Sequence, residues 1–161
     1  MSWTRIWKKS KRHFGWRHVN RACESLALKY QHEHPTRLVA LARGGLVPAT
    51  ILANKLGIRH VHSLGVSSYD DELNVAQPDQ FDIYQRLPTN DNVKRDEIVL
   101  IVDDISDRGD TFAFAEQYVK QVVGGKVITM SLVIKPGTKF IPDYYYASYP
   151  QDQWIVFPWE A

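Results

Sequence analysis

The chain has 161 residues, and 20 lysines and arginines against 18 acids give it a net charge of +2. This length suits one domain with a substantial core, and no apolar run approaches the roughly 18 residues that cross a bilayer. The basic N-terminus lacks the apolar block of a secretory signal, and a single cysteine, Cys23, cannot form an intrachain disulfide. These properties exclude disulfide-rich secreted proteins and helical membrane proteins, and we expect a cytoplasmic protein.

The first 21 residues carry seven lysines or arginines and no acid, with tryptophan, isoleucine and phenylalanine side chains between them. Such a segment can make weak peripheral contact with an anionic membrane surface or touch nucleic acid. It can equally be a solvated arm that packs on a partner subunit. We favour this last interpretation for residues 1–15, because short basic termini are common, and we do not expect a nucleic-acid partner.

Apolar periodicity predicts a first helix and then alternating strands and helices. The apolar face of the first helix consists of Val19, Ala22, Cys23, Leu26, Ala27 and Tyr30. The later elements are a strand at 37–41, a helix at 46–56 ended by Gly57, strands at 60–67, 81–87 and 98–102, a helix at 112–123 and a strand at 127–134. Polar segments without periodicity predict a mobile loop at 70–80 and a surface connection at 89–97. This alternation predicts an α/β fold with a parallel sheet.

The segment IVLIVDDISDRGDT, residues 98–111, joins an apolar strand to two acids and a glycine-containing loop. Asp103 and Asp104 lie at the carboxyl end of the strand, where open α/β sheets bind their ligands. Gly109 permits close backbone approach, and free amides at the start of the next helix favour an anion. The alternative is that the acids only cap that helix. Their adjacency at a strand end favours a phosphate-binding site.

This segment resembles the phosphoribosyl pyrophosphate (PRPP) signature of type I phosphoribosyltransferases. The matching residues are Asp103, Asp104, Asp107, Arg108, Gly109, Asp110 and Thr111. Residues 41–72 and 149–160 are similar to bacterial xanthine-guanine phosphoribosyltransferases, as is the lysine of VIKPG at 133–137. The resemblance implies one domain over 1–161, with a central mostly parallel sheet, flanking helices and a small hood over the base at 136–161.

The resemblance also implies the reaction, in which guanine, xanthine or hypoxanthine and PRPP give the nucleoside monophosphate and pyrophosphate. Mg²⁺ is the implied cofactor, with Asp104 on the metal side and Asp103 near the ribose hydroxyls. Arg43, Gly44 and Gly45 match the pyrophosphate loop, where glycines let backbone amides reach the phosphates. Relatives are dimers or tetramers, so we expect a homodimer or homotetramer.

A further arginine, Arg86, aligns loosely with one that holds pyrophosphate when the mobile loop closes. Lys94 and Arg95 are alternatives for this role, and Arg86 is otherwise a surface charge on an edge strand.

Four residues match the base-binding positions of the family. Asp107 is expected to handle the proton of the five-membered purine ring, which a carboxylate can do when its pKa moves toward neutrality. Lys135 matches the lysine that donates to the oxo group at the six position. Trp154 is expected to stack on the purine, and the backbone of Ile155 to meet the group at the two position. A solvated Lys135 and a tryptophan that only packs are the alternatives, and for Trp159 we favour packing.

Two positions depart from the family pattern. Arg108 stands where the family usually has threonine, and it exchanges a hydroxyl for a cation. Asp110 is an acid facing a phosphate cradle, which is unfavourable unless the side chain points away. Two alternatives to the salvage enzyme stay open. One is a PRPP-sensing regulator with the same fold that binds nucleic acid through its basic face, and the other is a phosphoribosyltransferase for another base.

Overall fold

The structure is a computed structural model that describes residues 10–68, 81–88, 97–123 and 125–160. The elements in chain order are β1 (Ser10–His13), α1 (Trp16–Tyr30), β2 (Arg37–Ala42), α2 (Leu46–Leu56), β3 (His60–Ser68), β4 (Phe81–Gln85), β5 (Ile98–Ser106), α3 (Asp110–Val123), β6 (Lys126–Ile134), β7 (Tyr144–Ser148), β8 (Gln153–Val156) and a 3₁₀ helix at Pro158–Glu160. None of the helices in this part of the chain is long and apolar enough to span a membrane. The predicted mobile loop at 70–80 lies outside the described residues.

A six-stranded sheet forms the centre, in the order β4-β3-β2-β5-β6-β7. Its strand pairs are parallel except for the antiparallel pair of β3 and β4. Because successive strand residues point to opposite faces, Leu38 and Ala40 of β2 join the core that contains α1 and α2, whereas Val39 and Leu41 join the core beneath α3. The predicted α/β class with a mostly parallel sheet is confirmed.

The helices follow the predicted periodicity closely. The six apolar residues predicted for the first helix are the ones that α1 buries. Gly57 closes α2 in the left-handed conformation, with φ of 70°, and its N–H donates to the carbonyl of Ala53, which fits the usual role of glycine at a helix end. The strand bounds differ more, since β5 continues through both acids to Ser106 and β4 ends at Gln85.

The N-terminal segment differs from the arm that we predicted. Residues Ser10–His13 form a parallel strand pair with β8, so the second half of the proposed arm belongs to the hood. Phe14 is 4% exposed and packs against Tyr149 and Phe157, and its N–H donates to the carbonyl of Val156 at 2.9 Å. Burial of this aromatic ring explains why the segment is held on the protein despite its charge.

Candidate active site

The carboxyl ends of β2 and β5 bring a glycine turn against the acid pair. A Cβ atom on Gly44 would lie 2.4 Å from a carboxylate oxygen of Asp104, so the turn touches this side chain directly. A Cβ on Gly45 would lie 2.3 Å from the carbonyl oxygen of Val102, and the N–H of Gly45 donates to the carbonyl of Leu41 at 2.8 Å. Both positions therefore need glycine for close packing.

The two acids lie inside β5 rather than at the start of α3. The Asp104 side chain is buried, and Asp103 is partly buried, with its Oδ1 accepting the N–H of Asp104 at 2.9 Å. The capping alternative is therefore wrong, since α3 begins only at Asp110. Nε1 of Trp159 donates to Oδ2 of Asp104 at 3.3 Å, and its ring stacks on Phe157 at 4.8 Å between centroids.

Burial governs the electrostatics of this pair. It raises the pKa of Asp104 to about 6, while the indole hydrogen bond from Trp159 acts in the opposite direction. Burial and the neighbouring Asp104 charge hold the pKa of Asp103 well above its usual range. A cation or positively charged donors would stabilise the ionised form of two adjacent carboxylates. The pair is therefore suited to binding a cation.

The loop after β5 lines a cavity of about 440 Å³ together with Phe81 and Asp103. Gly109 has a φ of +89°, and a Cβ there would lie 2.5 Å from the backbone nitrogen of Phe140. Asp110, Thr111 and Phe112, the first residues of α3, also line this cavity, and the first amides of a helix have no partner within the helix and favour an anion. The geometry is that of an anion cradle made largely from backbone.

The unusual residues of this loop neutralise each other. Nε of Arg108 lies 3.3 Å from one carboxylate oxygen of Asp110, and Nζ of Lys139 lies 3.7 Å from the other. Lys139 also donates its N–H to the carbonyl of Arg108 at 2.8 Å. Asp110 is thus paired with two cations, which reduces the repulsion that an isolated acid would exert on a phosphate.

A smaller cavity of about 110 Å³ lies under the hood. Asp107, Lys135, Trp154 and Ile155 all line it. Lys135 is 3% exposed, and its Nζ donates to the carbonyl of Pro150 at 2.8 Å and to the carbonyl of Gln153. A buried ammonium needs such acceptors, so the solvated interpretation of Lys135 is wrong.

Asp107 faces the same cavity from the loop. Its Oδ1 accepts a hydrogen bond from Nε2 of Gln151 at 2.9 Å. Asp107 lines both the anion cradle and the base cavity, and therefore lies where a ligand spanning the two would pass.

A third cavity of about 1040 Å³ opens beside the glycine turn. It is lined by Arg43, Gly44 and both acids, by Trp154 and Trp159 of the hood, and by Lys11, Tyr84 and Glu160. Arg86 lines none of the three cavities as the described residues define them. It is exposed just after β4, and Lys94 and Arg95 lie outside the described residues.

The sequence of residues 15–161 matches the family described as "Phosphoribosyl transferase domain". The chain belongs to this phosphoribosyltransferase family. It is 32% identical over 156 residues to a xanthine-guanine phosphoribosyltransferase of Idiomarina loihiensis, covering 96% of this chain and 90% of the relative. A protein of the same name from Vibrio atlanticus is 36% identical over 148 residues, covering 91% and 86% respectively.

Solved structures agree with this family. A purine phosphoribosyltransferase from Pyrococcus horikoshii has a TM-score of 0.81 at 34% identity, with 94% of this chain and 95% of that chain covered. A Neisseria gonorrhoeae protein with bound ppGpp has a TM-score of 0.79 at 24% identity over 95% of this chain and 90% of its own. At this identity the second likeness supports the fold alone.

Several residues that line the candidate site are not marked by the sequence. Gln151, Glu160 and Tyr84 are common surface residue types, and nothing in their local pattern marks them. Lys11 is one of the seven charges of the basic N-terminal segment, and its position at the site depends on the pairing of β1 with β8. The aromatic residue Trp159 was expected only to pack, and its contact with Asp104 joins elements far apart in sequence.

Proposed function

We propose that the protein is a purine salvage enzyme that transfers the phosphoribosyl group of PRPP to guanine, xanthine or hypoxanthine and releases pyrophosphate. The observation that carries this proposal is the position of Asp107, which lines both the anion cradle of α3 and the base cavity that contains Lys135 and Trp154. A nucleotide has the same layout, with a phosphate at one end and a base at the other.

PRPP would take its 5′-phosphate to the cradle and its pyrophosphate to the glycine turn. Backbone amides of α3 would stabilise the 5′-phosphate, and the guanidinium of Arg43 would stabilise the pyrophosphate. Asp103, near the ribose hydroxyls, and Asp104, on the metal side, would lie between the two ends.

The acid pair fits Mg²⁺, which takes one or two carboxylates and completes its shell with water and phosphate oxygens. Within the described part of the chain, no group of three or more His, Cys, Asp or Glu side chains is arranged to hold a metal. Asp103 and Asp104 would therefore hold the ion only together with PRPP. When bound, it would supply charge neutralisation for the departing pyrophosphate.

In the reaction the bond between the anomeric carbon and the pyrophosphate oxygen breaks while a purine nitrogen forms the new bond to that carbon. The ring proton that the purine loses passes to the carboxylate of Asp107, which borders the base cavity. The pyrophosphate leaves with the electron pair of the broken bond. Positioned carboxylates contribute to such proton transfers when they lie within hydrogen-bond reach.

Selection of the base follows from the same cavity. Nζ of Lys135, fixed by two backbone carbonyls, donates hydrogen bonds and cannot accept them, which favours an oxo group over the amino group of adenine. Trp154 offers a half-exposed aromatic face for stacking, and the backbone of Ile155, which lines the same cavity, would meet the group at the two position. Lys135→Met should therefore reduce the preference for oxopurines over adenine.

Assembly and location are part of the proposal. We expect a cytoplasmic homodimer or homotetramer, measured by light scattering, with PRPP and a purine as its small-molecule partners. Weak peripheral membrane contact through residues 1–15 would appear as sedimentation with anionic vesicles and not with neutral ones.

The test is pyrophosphate release with PRPP and Mg²⁺, with guanine, xanthine, hypoxanthine, adenine, orotate and uracil offered separately. Turnover confined to oxopurines supports the salvage enzyme. Turnover with another base alone would contradict the base assignment. PRPP binding without turnover on any base would favour a PRPP-sensing regulator, which does not require the cavity around Lys135.

A further inference from the structure

The N-terminal strand brings a lysine to the active site. Residues of β1 and β8 are matched one to one, with Lys11 beside Trp154 and Arg12 beside Ile155. Side chains of matched residues in a strand pair point to the same face. Because the indole of Trp154 is 50% exposed toward the cavities of the hood, Lys11 points to that side too.

Lys11 borders one cavity and not the other two. It lines the cavity of about 1040 Å³ that contains Arg43 and Gly44. It lines neither the anion cradle at the start of α3 nor the base cavity around Lys135. In the proposed arrangement of PRPP, the large cavity is the one that receives the pyrophosphate group.

Charge explains why a cation is needed at this place. The acids Asp103, Asp104 and Glu160 line the large cavity, and Lys11 and Arg43 are the cations on its described lining. Among the described residues, no carboxylate forms an ion pair with Lys11. A pyrophosphate that carries several negative charges would be repelled by the acids unless fixed cations accompany the metal ion.

We propose that Lys11 binds the pyrophosphate group of PRPP, and the pyrophosphate product, from the hood side of the cavity. This inference rests on the proposed function, because it assigns a ligand to the same site. Lys11 is a binding residue on this account, and the strand β1 is a part of the active site rather than a surface extension.

The neighbouring residue provides a matched control. Arg12 has the same charge and lies on the same strand, but its guanidinium lies 5.3 Å from the centre of the Tyr149 ring, on the opposite side of β1. Burial of Phe14 anchors the strand without either cation. Lys11→Met and Arg12→Met therefore remove equal charge from one strand, on its two faces.

The experiment measures KM for PRPP and for guanine, together with calorimetric binding of pyrophosphate in the presence of Mg²⁺. Loss of a hydrogen bond to a charged group corresponds to a change of about tenfold or more in affinity. Lys11→Met should raise KM for PRPP and Kd for pyrophosphate by about this factor, with KM for guanine little changed. Lys11→Arg should restore most of the affinity, and Arg12→Met should match the parent protein.

Three results would overturn the inference. One is an unchanged Kd for pyrophosphate in a folded Lys11→Met protein. Another is an equal rise in KM for PRPP and guanine, which would indicate loosening of the hood. The third is an equal effect of Arg12→Met. The pyrophosphate titration needs no base, so a loss specific to Lys11→Met in a protein that turns over no purine would refute the proposed function and leave the anion site standing.

Discussion

The acid pair on β5 and the hood are built in opposite ways. Asp103 and Asp104 lie on a central strand, where Asp104 is buried and Asp103 is partly buried, and one continuous run of sequence contains both acids and the loop that follows. The hood pairs Ser10–His13 with Gln153–Val156, two short strands from distant parts of the chain, and presents exposed aromatic and basic side chains. The centre therefore holds charges that are unfavourable without a ligand, whereas the hood supplies donors and stacking surfaces that a ligand can meet.

The largest effect should come from crowding the centre. Gly45→Ala places a methyl group within 2.3 Å of the Val102 carbonyl oxygen, which is backbone of β5 and cannot turn aside. We expect a loss of stability of about 3 kcal/mol or more, measured by urea denaturation. Gly15→Ala is the control, because a Cβ there meets nothing within 4 Å. Equal denaturation midpoints for the two variants would show that the turn does not depend on this contact.

The next effect tests the residue that joins centre and hood. Asp107→Asn can still accept the hydrogen bond from Gln151 but cannot take a proton from the purine. We expect kcat to fall about 10²- to 10⁴-fold, with calorimetric PRPP binding close to that of the parent. Unchanged turnover, or a loss of PRPP binding equal to the loss of kcat, would contradict its role in proton transfer.

A smaller effect is the dependence of stability on pH that Asp104 causes in the centre. The pKa of Asp104 is about 6 in the folded protein against an ordinary value of 3.8. The folded state therefore holds the extra proton between these values, and this group lowers stability as the pH rises through that window. In the absence of Mg²⁺, Asp104→Asn should be more stable than the parent above pH 7 by on the order of 1–3 kcal/mol.

Urea denaturation across pH measures this difference, which should vanish below about pH 3, where the carboxyl is protonated in both states. A constant difference at every pH would mean that the substitution acts through packing instead.

The smallest effect concerns the contact between the regions. Trp159→Phe retains an aromatic ring beside Phe157 but loses the indole N–H that reaches Asp104 at 3.3 Å. We expect kcat/KM for PRPP to fall by about 3- to 10-fold, equivalent to one hydrogen bond, with little change in thermal stability. Trp159→Ala should lower both, and an equal loss of stability in the two variants would argue for packing alone.

The sequence predicted the centre better than the hood for a physical reason. The continuous apolar run before Asp103 and Asp104 is a local property of the sequence, and so is the apolar face of α1. The pairing of Lys11 with Trp154 depends on contact between two short segments that are distant in sequence, and neither segment has a periodic apolar pattern. The same limit applies to Asp110. The sequence indicates that this acid is unfavourable near phosphate, but it does not show that Lys139, from another loop, forms an ion pair with it.

The parallel pairing of β1 with β8 has a consequence for the order in which the site is made. A chain synthesised from its N-terminus exposes Ser10–His13 early, and this strand must wait for Gln153–Val156 before it has a partner. The acid pair and the anion cradle can already be in place by then, because β2 and β6, the neighbours of β5 in the sheet, both precede β8 in the chain. The base cavity and the large cavity that contains Lys11 are therefore the last parts of the site to be completed, and a nascent chain acquires its anion cradle before it can select a purine.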